Sequence, residues 1–357
     1  MTRAAARVAA VVVAMAALVM SAASPALAHA VRVGVDPSNW KSTVTGVQPR
    51  VAGVAVSLGD SAQRVTVAVT SRATVVVSGY AGEPFVKVTR GGAWLNQRSS
   101  TTWAVAGPTA PRPADIDDHA RPRWKRVSDT GAWRWHDSRT HWPGYSPPPE
   151  VQQHPGRRQL VAAWMIPAAI DGRQGLVTGR LDWIPGPDAT PGALVIVVPL
   201  LVLVMVGVIR PWRLAAATAL VALTAADVAH AAGMVSGRVG STWTRLAALP
   251  AHGIVSVVLW GAMLVCAVGM LRRRHLTAAV YAAAMFASIV FLADAVPSVA
   301  LVWRSQAITG LPVAVDRYLV AALTGSSLGL LVAAILLIRR LDRRPPAPQP
   351  LVPAATA

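Results

Sequence analysis

One cysteine, Cys266, is all this chain has. It lies in an apolar stretch, so no disulfide can close within one chain, and thiolate metal sites and cysteine nucleophiles are excluded. An exported part of the chain must then be held by its core alone. Acidic residues are scarce too: 16 Asp and Glu stand against 34 Lys and Arg, a formal charge of +18. Lysine is scarce within that basic total, and the Arg- and Ala-rich usage matches high-GC coding, which discounts the charge as a guide to partners. A basic chain points to nucleic acid or to anionic membrane. Here many Arg flank apolar spans and the chain carries an export signal, so the lipid bilayer is the expected partner and nucleic acid is not. No GxSxG, HExxH, P-loop or paired-carboxylate pattern is present, and no motif points to an enzyme.

What is present begins with a secretory signal over residues 1–28. Arg3 and Arg7 supply its charged start, residues 8–20 its apolar run, and Ala26-Leu27-Ala28 a small-x-small cleavage pattern. Cleavage there makes His29 the mature N-terminus. Ala28-His29-Ala30 fits the same pattern, and cleavage after Ala30 would remove that histidine. About 330 residues remain, enough for two domains.

From 29 to 188, short β-rich runs alternate with Gly, Pro and Ser breaks. They fall at 51–58, 64–69, 74–77, 85–89, 93–96, 124–127, 133–136, 160–166 and 176–184. Gly59-Asp60, Gly91-Gly92 and Asp171-Gly172 are turn dipeptides. Strands at roughly ten-residue spacing, with no helical period, predict an all-β extracytoplasmic sandwich of immunoglobulin-like type. Nine of the thirteen Trp lie here, and most are expected in packing. After a linker at 186–192 come five apolar stretches long enough to cross a bilayer, at about 193–209, 214–235, 251–271, 276–297 and 318–338. Arg210 and Arg213, Arg272 to Arg274, and Arg339, Arg340, Arg343 and Arg344 all fall on one side if the β domain is outside. The positive-inside rule therefore sets the β domain outside and the C-terminus inside. The helical domain is expected over 189–340, and a disordered Pro- and Ala-rich tail over 341–357.

Chemistry-bearing residues concentrate in 133–142, WRWHDSRTHW. His136 and His141 are five apart. On one strand they point to opposite faces, and on one helix they lie about 140° apart. If Asp137 to Thr140 form a hairpin loop, the two His become cross-strand partners with Cβ atoms about 5 Å apart, and Trp135 pairs with Trp142 on the other face. Two imidazoles so placed can share a metal ion or simply stack over Trp. Five of the eight His lie in the exported half: His29, His119, His136, His141 and His154. That one-sidedness is what an extracytoplasmic metal-handling protein would show. An N-terminal His29 would chelate Cu(II) through its amino group and ring, and a further His would complete a nitrogen-donor site. Copper is the expected ion, with His29, His119, His136 and His141 as candidate ligands.

Within the spans, Asp227 and His230 are three apart on one helix face, with His252 and Asp294 at similar depth. These four form a candidate accessory metal or proton site, or a structural pair near the interface. Glu83 is read as a turn residue ahead of a ligand. The competing functional reading is a cell-envelope interaction or assembly protein, whose β domain binds another protein and whose His are structural.

Gly79-Tyr80-Ala81-Gly82-Glu83-Pro84-Phe85, the Trp135–Trp142 segment, and Trp164-Met165-Ile166-Pro167 with Asp171-Gly172 resemble a family of multi-pass membrane proteins of high-GC Gram-positive bacteria with no established activity. The resemblance covers most of residues 36–185. Members carry His-Asp-His-Arg where this chain has His136-Asp137-Ser138-Arg139. The His after an Ala-x-Ala site separately resembles small periplasmic copper-binding β-sandwich proteins, a likeness of one residue and a fold class.

Overall fold

The computed structural model describes residues 37–59, 64–107, 112–144, 146–209, 211–237, 242–272, 276–290 and 295–342, with the backbone alone over 242–256 and at 276, 278, 281, 341 and 342. The expected signal at 1–28, His29, Asp294 and the tail from 343 lie outside these residues, as does the side chain of His252.

The first half is antiparallel β structure, as its alternation predicts. Its strands are β1 (Trp40–Gln48), β2 (Val54–Gly59), β3 (Arg64–Val69), β4 (Thr74–Ser78), β5 (Pro84–Thr89), β6 (Gly92–Asn96), β7 (Trp124–Ser128), β8 (Ala132–His136), β9 (Gln159–Ile170) and β10 (Arg173–Trp183). One sheet has seven strands in the order β1-β10-β9-β4-β5-β6-β7, and the other has three in the order β2-β3-β8. Period-2 burial is clear on β3, where Val65, Val67 and Val69 point inward and Arg64, Thr66 and Ala68 do not. They meet Val75, Val77, Phe85, Val88, Ile166 and Ile170 of the larger sheet in one core. Each such side chain contributes about 1.5–3 kcal/mol by leaving water, before chain entropy is set against it. The Asp171-Gly172 turn closes the β9–β10 hairpin with both residues at positive φ, 51° and 75°. That is the type I′ geometry which matches strand twist, and Gly pays no Cβ penalty there.

Three elements were not expected. β1 pairs along β10, and its inward positions are only half buried. An edge strand of Ser, Thr and Gln carries a weak hydrophobic signal for that reason. The helix α1 (Ser100–Ala106) is capped by Ser99, whose side chain accepts from the Thr102 N–H. A second short helix, α2 (Pro149–Gln153), precedes β9.

The second half is helical: α3 (Ala189–Val206), α4 (Trp212–Ser236), α5 (Thr242–Leu271), α6 (Leu276–Val290) and α7 (Val313–Asp342). Each falls on one of the five expected apolar stretches. By length and composition, α3, α4 and α7 are long and apolar enough to cross a membrane, and α5 contains a shorter apolar run at Val257–Leu271. Between α6 and α7 lie a helical turn at Val296–Ser298 and a 3-10 helix at Val299–Val302.

The segment after that 3-10 helix seats the β domain. Ser38 and Gln306 exchange backbone hydrogen bonds of 2.9 and 2.8 Å. The Ser305 N–H donates to Asn39 Oδ1 at 3.0 Å and its hydroxyl to the Ile184 carbonyl at 2.8 Å. Arg317 braces the same segment from α7, donating to the carbonyls of Leu301 and Arg304 at 3.0 and 2.9 Å.

Candidate functional site

β8 delivers Trp135 inward and His136 outward, in register with Val65 and Arg64 of β3. The chain then turns, but not as a hairpin. Asp137 caps a 3-10 turn over Ser138–Thr140, its side chain accepting from the Arg139 N–H. The Asp137 carbonyl accepts from the Thr140 N–H at 3.2 Å and the Thr140 hydroxyl at 2.9 Å, and lies 3.0 Å from His141 Nδ1. This turn sets the His136 and His141 rings 4.8 Å apart between centroids, tilted by 50°. The two imidazoles are neighbours, as the hairpin alternative required, but a capped turn makes them so. Trp135 and Trp142 do not pair. Trp135 packs edge-on against Phe85 at 5.7 Å, and Trp142 stacks on Trp40 at 6.0 Å.

Between the two histidines in sequence stands a buried carboxylate. Asp137 is wholly inaccessible. Its Oδ2 accepts from Trp135 Nε1 at 2.9 Å and Arg139 Nη2 at 2.7 Å, and its Oδ1 from Arg139 Nε at 2.9 Å. The Arg139 fork is therefore bidentate, the strong form of this pair. Burial by itself would raise the Asp137 pKa, but the Arg139 hydrogen bonds and charge and the Trp135 N–H outweigh it, and the carboxyl is held below its ordinary value.

Arg139 also joins the two motifs. It donates to the carbonyls of Ser78 and Gly79 at 3.3 and 3.4 Å and lies over the Tyr80 ring at 5.0 Å. The Tyr80 hydroxyl accepts from the Ser138 N–H at 3.1 Å. Glu83 is buried in the turn before β5, where it accepts from the Ser99 hydroxyl, the Thr101 N–H and the Ala81 N–H. Those donors hold it as a turn residue. A Cβ on Gly79 would fall 2.0 Å from Glu83 Oε1, so only glycine fits there. Nothing in the spacing of Tyr80 and Arg139 discloses their contact, since 59 positions separate them. The signal available was composition: two polar-aromatic motifs in a chain otherwise rich in Ala and Val.

The other expected ligands are dispersed. His119 is exposed on the loop before β7, its backbone N–H held by Asp117. In the helices, Asp227 accepts from Trp260 Nε1 at 2.7 Å. His230 Nδ1 lies 2.7 Å from Asp316 Oδ1, and its Nε2 lies 3.3 Å from the Ser298 hydroxyl. Asp316 and Ser298 were not singled out in the sequence, because the last span was started at 318, past Asp316, and the fourth was ended at 297, just before Ser298. Among the described residues no three His, Cys, Asp or Glu side chains are grouped to hold a metal ion. Compared with family models, curated proteins and solved structures, the chain matches none of them.

Proposed function

We propose that this is a multi-pass cell-membrane protein with five spans and an immunoglobulin-like β-sandwich held outside, which binds a metal ion, copper, at His136 and His141. The observation that carries the reading is the pairing of these two rings, 4.8 Å between centroids, on a turn locked by Asp137 and Arg139. The tautomer of His141 supports it. The Asp137 carbonyl can only accept, so Nδ1 donates to it and Nε2 of the neutral ring keeps its lone pair. Two nitrogens sharing an ion through bonds of about 2 Å must come within about 4 Å of each other, which rotation of rings this close allows. Cu(II) takes nitrogen donors in a tetragonal set, and two imidazoles supply half of it. The amine and ring of His29 would supply the rest if cleavage follows Ala28. The accessory membrane site is no part of this reading, because both His230 ring nitrogens have partners.

The test is Cu(II) titration of the full-length protein in detergent, followed by quenching of tryptophan fluorescence. The wild type is expected to bind with Kd below about 10 μM, roughly −7 kcal/mol. His136→Ala and His141→Ala should each weaken binding about tenfold or more, a loss of about 1.4 kcal/mol, while His154→Ala, on the exposed end of α2, leaves it unchanged. Equal binding by wild type, His136→Ala and His141→Ala would make the ring pair a packing contact and leave the envelope-interaction reading in its place. Sequencing the mature N-terminus decides whether His29 is available.

A further inference from the structure

We propose a second site: the outer face of the seven-stranded sheet binds an anionic polyol-phosphate polymer through Lys87, held between the indoles of Trp94 and Trp124. Register builds this surface. Ala169 faces Val76, Val76 faces Lys87, Lys87 faces Trp94 and Trp94 faces Arg126, so one rung crosses β9, β4, β5, β6 and β7. Side chains opposite one another in a ladder share a face. Trp124 is two residues from Arg126 and so shares it too. Val75 and Val77, which flank Val76, are buried in the core, so the rung faces outward.

Lys87 Nζ lies 4.8 Å from the centre of the Trp94 ring and 5.1 Å from that of Trp124. The Arg126 guanidinium lies 5.7 Å from the centre of the Trp94 ring. Arg126 is engaged, with Asp129 at 3.1 Å and the Gly91 carbonyl at 2.7 Å. Lys87 has no carboxylate partner among the described residues. Its two indoles already restrict the side chain, so meeting an anion costs it little further freedom. The pairing of an unneutralised ammonium with flat apolar rings fits a ligand that alternates phosphodiester charges with C–H faces. Lys87 and Arg126 both meet the Trp94 ring, and Asp129 pairs with Arg126 alone, so this patch keeps a positive charge that favours an anion.

A lipid headgroup layer has related charge, and the register argues against it. Gln159 pairs with Trp183, where the chain leaves for α3. Ala169 lies ten residues further along β9, about 33 Å at about 3.3 Å per residue. The rung therefore sits at the end of the sheet remote from the helices.

The full-length protein in nanodiscs of zwitterionic lipid would be titrated with poly(glycerol phosphate), with neutral dextran and with anionic vesicles. Binding is expected for the polymer alone, weakening as salt is raised. Lys87→Glu should weaken it about tenfold or more, and Trp94→Ala by a smaller factor, with unchanged circular dichroism. Lys41→Glu makes the same charge change on the opposite edge strand and should leave binding unaltered. Failure of the wild type to bind the polymer overturns the proposal. So does equal loss in Lys87→Glu and Lys41→Glu, binding of dextran as tightly as polymer, or binding of the vesicles alone.

Discussion

Asp137→Ala is expected to destabilise the β domain by about 3–5 kcal/mol, the cost of removing one partner from a buried ion pair. Arg139 retains a fifth of its side-chain exposure, so the lower end of that range applies, about 3 kcal/mol, or about 6–12 °C in Tm for a domain of this size. Three losses combine. The Arg139 fork loses its acceptor, the indole N–H of Trp135 is left without one, and the 3-10 turn loses its cap. Asp137→Asn keeps an acceptor and a cap but no charge, and should fall between. Ser138→Ala, exposed and bonded here only through its backbone N–H, should stay within about 0.5 kcal/mol of wild type. Thermal unfolding of the three variants checks the order, and a Ser138→Ala loss as large as that of Asp137→Ala would remove the carboxylate from the explanation.

The same pair sets an acid dependence. The folded Asp137 carboxyl titrates below its ordinary value. Its contribution is therefore complete above the unfolded pKa of about 3.9 and is lost as pH falls from there through the lower folded value. Wild type and Asp137→Ala should differ most at neutral pH and converge in acid. On the proposed copper site, affinity should fall with Asp137→Ala too, since the turn that aligns His141 comes apart with its cap.

Much of the fold was legible because the signals were local. Period 2 on residues 64–69 and 74–77 gave β3 and β4, and Asp171-Gly172 gave a turn at a backbone geometry few other pairs adopt. The division into sheets of seven and three strands was not, because it depends on which strand edges meet across long separations, as β1 meets β10. The site divides the same way. The spacing of His136 and His141 left them as neighbours in only one of three readings, the hairpin, and a capped 3-10 turn brings them together instead. Glu83 was read as a turn residue, but Arg139 and Tyr80 were not assigned their roles, because a guanidinium can reach any carbonyl within its radius and sequence spacing says nothing of what lies there. Asp316 was missed for a different reason. A hydropathy window starts a span where charge stops, and so discards an acid buried in the first helical turn.

That buried acid carries the other large expected effect. Asp316 is fully inaccessible and holds His230 at 2.7 Å, while its Oδ2 has no hydrogen-bond partner among the described residues. Two magnitudes compete. A hydrogen bond between membrane helices is worth about 0.6 kcal/mol on average and about 1.7 at most, because the unfolded chain in lipid finds other partners. Removing one partner of a buried ion pair costs about 3–5 kcal/mol, the range that applies with His230 protonated. Asp316 is wholly buried in the first turn of α7, so removing it leaves the His230 ring without its carboxylate partner, away from water. Asp316→Ala is therefore expected to cost about 3 kcal/mol, at the foot of the larger range. Joint replacement, His230→Leu with Asp316→Leu, should recover most of that, because an apolar pair of similar volume leaves no orphaned group. Apparent Tm in detergent reads both. A double variant as unstable as Asp316→Ala would show that the pair does more than hold α4 to α7. A loss below about 1 kcal/mol in Asp316→Ala would place the contact among ordinary interhelical hydrogen bonds.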